Sequence, residues 1–419
     1  MRHVLRTLNF FLYSSLFPIF ALAATFNVNS FGDGNDQSIG DGQCRTIANI
    51  CTLRAAIQEA NFNVSLDEIN LPSGTYSLTL AGVDDNNTAG DLDITSNLKI
   101  AGQRASDTII QSTASRNNEY RIFHIAPNNS LIDVTIMRVN IKNGYANQGA
   151  GIFIENGNVA LNDTDISDND ATLGNNGKGG GIYNKNGTLT INRSIISNNK
   201  AGANNLGAGA GLYAENGKTY LNNTIIAANE AKGINGGGLF NSSNQLVIAS
   251  STIAQNRIAG VNASGAGLYS NINNSVTLKN SIIAQNKLNI TSSTPISDCA
   301  GEIKSEGYNL IGNATGCTIS NNQVSDKIGT STALIDASLG ALYTDTIGGI
   351  KTLPLLPNSP AIDAGNPSGC LNHNNIRLEK DQRGSSAFPR HITSNTGTAG
   401  RCDIGAFEFT TTTPDPTPT

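Results

Sequence analysis

The chain has no tryptophan, two methionines, four histidines, and charged residues at only 14 %. Aromatics make up 5 %. Lys and Arg form no cluster and the formal net charge is −5, so nothing supports nucleic-acid binding. There is no C-x-x-C, and no His stands at ligand spacing from a Cys, so neither a metal nor a cofactor is expected. His124, His373 and His391 carry no motif around them, which leaves no nucleophile–base triad and no catalytic residue to name. After residue 23 no apolar run is long enough to span a bilayer.

Low charge together with 44 glycines would also suit a disordered chain. Regularly spaced Ile, Leu and Val argue instead for a packed core. The first 23 residues read as a secretory signal: Arg2, His3 and Arg6 precede an apolar stretch over 8–22, and Ala21 and Ala23 make an A-x-A cleavage site. The mature chain is therefore expected to be secreted, extracellular or at the outer cell surface. Six cysteines suit that compartment. They fall into local pairs, Cys44 with Cys51, Cys299 with Cys317, and Cys370 with Cys402, and this sequential pairing is favoured among the connectivities that sequence leaves open.

Five segments then align, beginning at Gly149, Gly179, Gly209, Gly236 and Gly265, with a repeat of 27 to 30 residues. After each glycine motif comes an aliphatic residue (Ile152, Ile182, Leu212, Leu239, Leu268), then an aromatic (Phe153, Tyr183, Tyr213, Phe240, Tyr269). Further on stand a hydroxyl column (Thr164, Ser194, Thr224, Ser251, Ser281) and an isoleucine column (Ile166, Ile196, Ile226, Ile253, Ile283). Last comes an asparagine column: Asn169, Asn199, Asn229, Asn256 and Asn286. Apolar residues alternate over a few positions and then break, which excludes a helical repeat and predicts short strands separated by turns. The fold class is all-β, a single-stranded right-handed parallel β-helix. Coils about 4.8 Å apart stack identical residues, so the Asn column is expected to form a buried amide ladder. Weaker coils extend the stack at both ends, DLDITSNLKIAG (91–102), RIFHI (121–125) and VTIMRVNIKNG (134–144) upstream, where Asn143 stands one place off the ladder.

Both open ends need covering. In residues 52–61, Leu53, Ala56, Ile57 and Ala60 make one apolar helical face, expected to plug the N-terminal end. The chain thus divides into a signal (1–23), an N-terminal cap (24–64), the β-helix (65–340), a loop-rich C-terminal module (341–409) and a Thr/Pro tail (410–419) expected to be disordered.

CTLRAAI at 51–57 resembles the CSLREA motif that opens many exported bacterial β-helix proteins. NVNSFGDGND before it, LPSGTY, DLDIT and IKNG after it, and DCAGEIKSEGYNLIGNATGC at 298–317 are similar to the same proteins. The ending SPAIDAG, DQRG and CDIGAFE resembles the choice-of-anchor Q domain, and the coils are similar to repeats of polymorphic outer-membrane proteins. The resemblance implies an exported fold and does not specify an activity. It departs at Ala55, where the motif has Glu: Thr52 keeps the N-cap of a capping box and Ala55 loses its return bond, so restoring Glu is expected to strengthen the cap. No sorting signal follows Phe409.

Right-handed β-helices include pectate lyases and polygalacturonases, which is an analogy of fold alone. The best acidic candidate is the run Asp163, Asp165, Asp168, Asp170. No second acid stacks on Asp163 (Arg193, Asn223, Ser250, Asn280 follow) or on Asp168 (Asn198, Ala228, Gln255, Gln285), so a solvated turn is expected. Asp170, Lys200, Glu230 and Arg257 alternate in sign before Lys287, a column suited to keeping coils in register. Asp381 and Arg383 of DQRG, with Arg390, Arg401 and Asp403, suit a structural pair better than acidic-sugar recognition. The leading expectation is a non-catalytic adhesin-like or structural protein that binds a glycan or a host or cell-surface protein on an extended face. Its rival is a polysaccharide lyase or hydrolase acting in a groove along the coils. An acid and a base on adjacent coils would favour the rival, and a smooth polar face the first.

Overall fold

The structure is a computed structural model that describes residues 23–410, apart from 83, 114–118, 204–205, 234, 261, 289–296 and 391–400. The signal up to residue 22, the tail from residue 411 and His391 lie outside the described residues.

Short parallel strands wind into a right-handed parallel β-helix with very little helix. The coil that begins at Gly149 shows the plan: strands Ile152–Ile154, Asn158–Asn162 and Asp165–Ser167, then the short Asp170–Ala171. Each pairs one coil on in the register of the columns: Ile152↔Ile182, Val159↔Leu189, Ile166↔Ile196, Asp170↔Lys200. Third strands form a ten-stranded sheet and fourth strands a five-stranded one. First and second strands share a 16-stranded sheet, because Leu212–Asn222 and Leu239–Ala249 run unbroken through the corner between them.

The inward residues, among them Ile152, Val159, Leu161 and Ile166 and their counterparts, make one continuous aliphatic core. Corners need backbone in the left-handed region. Asp163, Arg193, Asn223, Ser250 and Asn280 all have φ between 46° and 54°, and Asp168, Asn198, Ala228, Gln255 and Gln285 between 56° and 59°. The two acidic columns are therefore turn columns.

Behind the second corner stands the ladder. Asn169 Nδ2 donates to Asn199 Oδ1 at 3.0 Å, and the step repeats at 2.9 Å to Asn229, Asn256 and Asn286. Each Nδ2 also donates to a carbonyl of the preceding coil, as Asn229 does to Ile196 at 2.9 Å. The last glycine of each motif exists for this ladder: a Cβ on Gly211 would stand 2.9 Å from Asn229 Nδ2. Asn143 falls in the turn column, and Gly144 takes the ladder position, its N–H donating to Asn169 Oδ1 at 2.9 Å. The hydroxyl column adds a second chain of bonds, such as Thr224 N–H to Ser251 Oγ at 3.0 Å.

The helix Leu53–Phe62 closes the N-terminal end with Leu53, Ala56, Ile57 and Ala60 in the core. Thr52 is its N-cap, its Oγ1 accepting from Ala55 N–H at 3.1 Å. The expectation that Glu at Ala55 would strengthen the cap needs correction, because every residue from Leu53 to Ala60 is buried. Residues 33–42 wall the polar side: Arg54 pairs with Asp33 at 2.7 Å, Gln58 Oε1 accepts Asp36 N–H at 2.6 Å, and Glu59 accepts Gly40 N–H at 2.8 Å. Disulfides join Cys44 to Cys51, Cys299 to Cys317, and Cys370 to Cys402, with Cα separations of 5.0, 5.5 and 5.9 Å.

The C-terminal module lies along the outside of the third strands. Leu353, Leu355, Ile404 and Phe407 bury Ile195, Ile225, Ile282 and Leu310. The doubled aliphatics Ile195–Ile196, Ile225–Ile226 and Ile282–Ile283 record this, since a strand covered on both faces loses its polar alternation.

Candidate functional site

Two outward surfaces stand out once the module has covered the third strands. The first is the face of the second strands. Thr135, Ala160, Thr190, Tyr220, Val247 and Thr277 stack on six consecutive coils and carry no charge. Beside them runs an outer amide chain, Asn222 Nδ2 to Asn192 Oδ1 at 2.9 Å and Asn192 Nδ2 to Asn162 Oδ1 at 2.8 Å. His373 of the module docks on its edge, its ring stacked on Tyr220 with 4.3 Å between ring centroids and its backbone N–H donating to Asn222 Oδ1 at 2.8 Å.

The second surface is the aromatic column on the first strands. It faces outward but is not an open aromatic platform. Phe153, Tyr183, Tyr213 and Phe240 are buried by one another and by their flanks. Centroids of successive rings lie 4.6 to 5.3 Å apart from Phe153 to Tyr269. Lys178 Nζ sits 4.7 Å over Tyr213, Arg121 sits 5.0 Å over Phe153, and Tyr183 donates its hydroxyl to Glu215 at 2.6 Å. Burial and that carboxylate push the Tyr183 hydroxyl far up.

Upstream the column changes chemistry. His124 pairs in register with Phe153, and Asp93 with His124. His124 stacks on Phe153 at 5.1 Å with the rings 5° from parallel. Its Nδ1 lies 3.4 Å from Asp93 Oδ1 and 3.3 Å from Asp85 Oδ1. Burial pushes the Asp93 carboxyl up to about 6. Asp85 also lines a cavity of about 530 Å³ with Gln58, Asn61 and Thr95. Sequence reasoning missed this cluster, although carrying the aromatic column back two coils lands on His124 and then Asp93.

The acidic run is not one solvated turn. Asp163 makes a two-pronged pair with Arg193 at 2.8 and 2.9 Å, Asp165 is buried 3.4 Å from Lys351 of the module, and Asp170 is buried too. Only Asp168, 3.8 Å from Lys142, stays substantially in solvent. Asp170, Lys200, Glu230, Arg257 and Lys287 stack in register.

In the module, Arg383 pairs with Asp381 at 2.6 Å and lies between Phe388 and Phe407, 3.3 and 3.9 Å from their centroids. Arg390 is fully buried and donates to Asn223 Oδ1 at 2.9 Å. Both arginines are structural and closed to an acidic sugar.

No family model matches the chain, and no curated protein does. Among solved structures it is similar to the crystal structure of pectate lyase Pel9A, at 16 % identity and a TM-score of 0.44, over 93 % of this chain and 97 % of that one. It is also similar to the pectin methylesterase from Aspergillus niger in deglycosylated form, at 13 % identity and a TM-score of 0.34, over 74 % of this chain and 84 % of that one. At these values neither brings an activity to the chain.

Proposed function

We propose an exported protein of adhesin or structural type, of the CSLREA and choice-of-anchor Q kind, that binds a glycan or a surface protein without catalysis. The observation that carries this reading is the uncharged column from Thr135 to Thr277, bordered by the Asn162 and Asn192 amides up to the edge where Asn222 is buried under His373. Six coils give it a length of about 24 Å. Hydroxyls and amides held at fixed spacing suit sugar hydroxyls and extended backbone alike. Three disulfides are consistent with an oxidising compartment, and no helix among the described residues is long and apolar enough to cross a membrane.

The enzyme reading has one observation on its side, the Asp93–His124 pair on adjacent coils. Asp93 is fully buried, however, and His124 Nε2 is buried without a partner, so neither meets a polymer chain. The ligand oxygens of Asp85 and Asp93 also lie within 4.8 Å of each other, closer than the roughly 5–9.5 Å at which glycosidase carboxyl pairs work. The test is a glycan array run beside a polyuronide depolymerisation assay on the mature chain. Binding that Tyr220→Ala and Thr190→Lys weaken, with no cleaved product, is expected. Sustained release of oligosaccharides would overturn the reading.

A further inference from the structure

We propose that Asp85, Asp93 and His124 form a binding site for a borderline divalent metal ion of the zinc type. The donor set is one imidazole nitrogen and two carboxylate oxygens, all within 4.8 Å of one another. Imidazole suits zinc and its neighbours and is foreign to calcium and magnesium sites, which take oxygen alone.

The two spacings to the imidazole agree with chemistry. Bonds of about 2.0–2.2 Å place neighbouring ligand atoms of a tetrahedral ion roughly 3.3–3.6 Å apart. His124 Nδ1 stands 3.3 Å from Asp85 Oδ1 and 3.4 Å from Asp93 Oδ1. Good hydrogen bonds between such atoms are shorter, about 2.7–3.2 Å.

An independent observation points the same way. Asp93 is fully buried, and its Oδ1 has only the long 3.4 Å contact to His124 Nδ1 and no hydrogen bond of good geometry. A buried carboxylate oxygen held that weakly is costly, and a cation removes that cost. Nothing is loose around it. Asp93 Oδ2 accepts Asn87 N–H at 2.9 Å, Asn87 Oδ1 accepts Asp93 N–H at 3.2 Å, and Asn87 Nδ2 donates to the Arg54 carbonyl at 3.2 Å. Stacking on Phe153 fixes the imidazole plane. Two ligands are thus preset by adjacent coils; ring stacking holds the imidazole, since its Nε2 is buried without a partner. The third, Asp85, is 72 % exposed and lines the cavity, so the remaining coordination positions open to water there. A metal here staples the loop that carries Asp85 to the two coils behind it.

The experiment is calorimetric titration of ZnCl₂ into the tag-free mature chain after chelation and dialysis, with melting followed in parallel. Asp85→Ala alters an exposed side chain, and His124→Phe extends the aromatic column, so both variants keep the fold. One zinc per chain is expected, with a rise in melting temperature at saturating zinc. Affinity should fall by about a hundredfold or more in each variant. Calcium and magnesium at the same concentration should leave melting unchanged. Absent stoichiometric uptake, uptake undiminished in either variant, or preference for calcium would overturn the site and leave a buried Asp–His pair.

Discussion

Asn286 ends the amide ladder on the carboxylate of Asp298: its backbone N–H and its Nδ2 both donate to Asp298 Oδ1, at 2.8 and 2.9 Å. In earlier rungs an asparagine Oδ1 accepts the same two bonds, as Asn256 does from Asn229. Asp298 Oδ2 takes Asn313 N–H at 2.8 Å, so this side chain ties the last regular rung to the coil beyond. Asp298 occupies an asparagine's place but can titrate. Burial pushes its carboxyl up to about 6, against the N–H donors that pull it down. An unfolded Asp titrates near about 3.9. The folded chain therefore holds the proton more tightly. The stability this group contributes is fully present below about pH 4 and is lost as pH rises through about 6.

Asp298→Asn should remove that slope. Asn keeps the rung but sets its NH₂ against Asn313 N–H, a cost that is constant with pH. The difference in unfolding free energy between wild type and variant should shift in the variant's favour, on the order of 2–3 kcal/mol, between about pH 4 and pH 7. Denaturant titrations across that range measure it. A constant difference would mean that Asp298 titrates normally in the fold.

Asn229→Leu probes the middle of the ladder. Asn229 is fully buried; its Oδ1 accepts from Asn199 N–H and Nδ2 at 3.0 and 2.9 Å, and its Nδ2 donates to Asn256 Oδ1 at 2.9 Å. Leucine strands two donors of the neighbouring rung, so a loss of about 2–4 kcal/mol is expected. Hydrogen exchange should show protection falling first in the coils on either side. An unmoved denaturation midpoint would remove the ladder from the energetics of the fold.

Where sequence was legible and where it was not follows from range. Ile166, Ile196, Ile226, Ile253 and Ile283 announce their place because each coil repeats it, and register needs nothing more than the alignment. Asp93 and His124 lie in coils whose repeats are weak, and Asp85 comes from a loop that belongs to no column. The partners of Arg390 are still less visible: Asn223 is 167 residues away and nothing local marks the contact. The same limit explains Ala55, whose helix the motif places while its complete burial goes unread.

For the cap the two substitutions should now act in the same direction. Thr52→Ala loses the bond to Ala55 N–H and the hydroxyl's donation to the Gly34 carbonyl at 2.6 Å, a cost of about 1–2 kcal/mol. Ala55→Glu puts a carboxylate into a fully buried position and should cost at least as much, despite its favourable charge at a helix N-terminus. Exchange protection over residues 52–61 reports both. Stabilisation by Ala55→Glu would show that residues 33–42 stand off the helix in solution.

The module should detach when Arg390 is removed. Arg390 Nη1 lies 3.4 Å from Glu408 Oε2, and its Nη2 reaches Asn223 of the β-helix and the Gly405 carbonyl. Burial pushes the Asp403 and Glu408 carboxyls up, and Arg390 is the cation that opposes this. Arg390→Met fills much of the volume but leaves those acids without it, a change that costs about 3–5 kcal/mol where a buried pair is broken. A solenoid need not unfold in one step, so the loss should be local. Limited proteolysis should cut within 341–409 while the coils stay intact. The uncovered face of Ile195, Ile225, Ile282 and Leu310 should then bind a hydrophobic dye. Arg401→Ala, at an exposed position, is the control and should change neither readout. If Arg390→Met leaves the module resistant, the apolar contacts to the third strands suffice to hold it; if the coils are cut at the same rate, module and β-helix unfold as one unit.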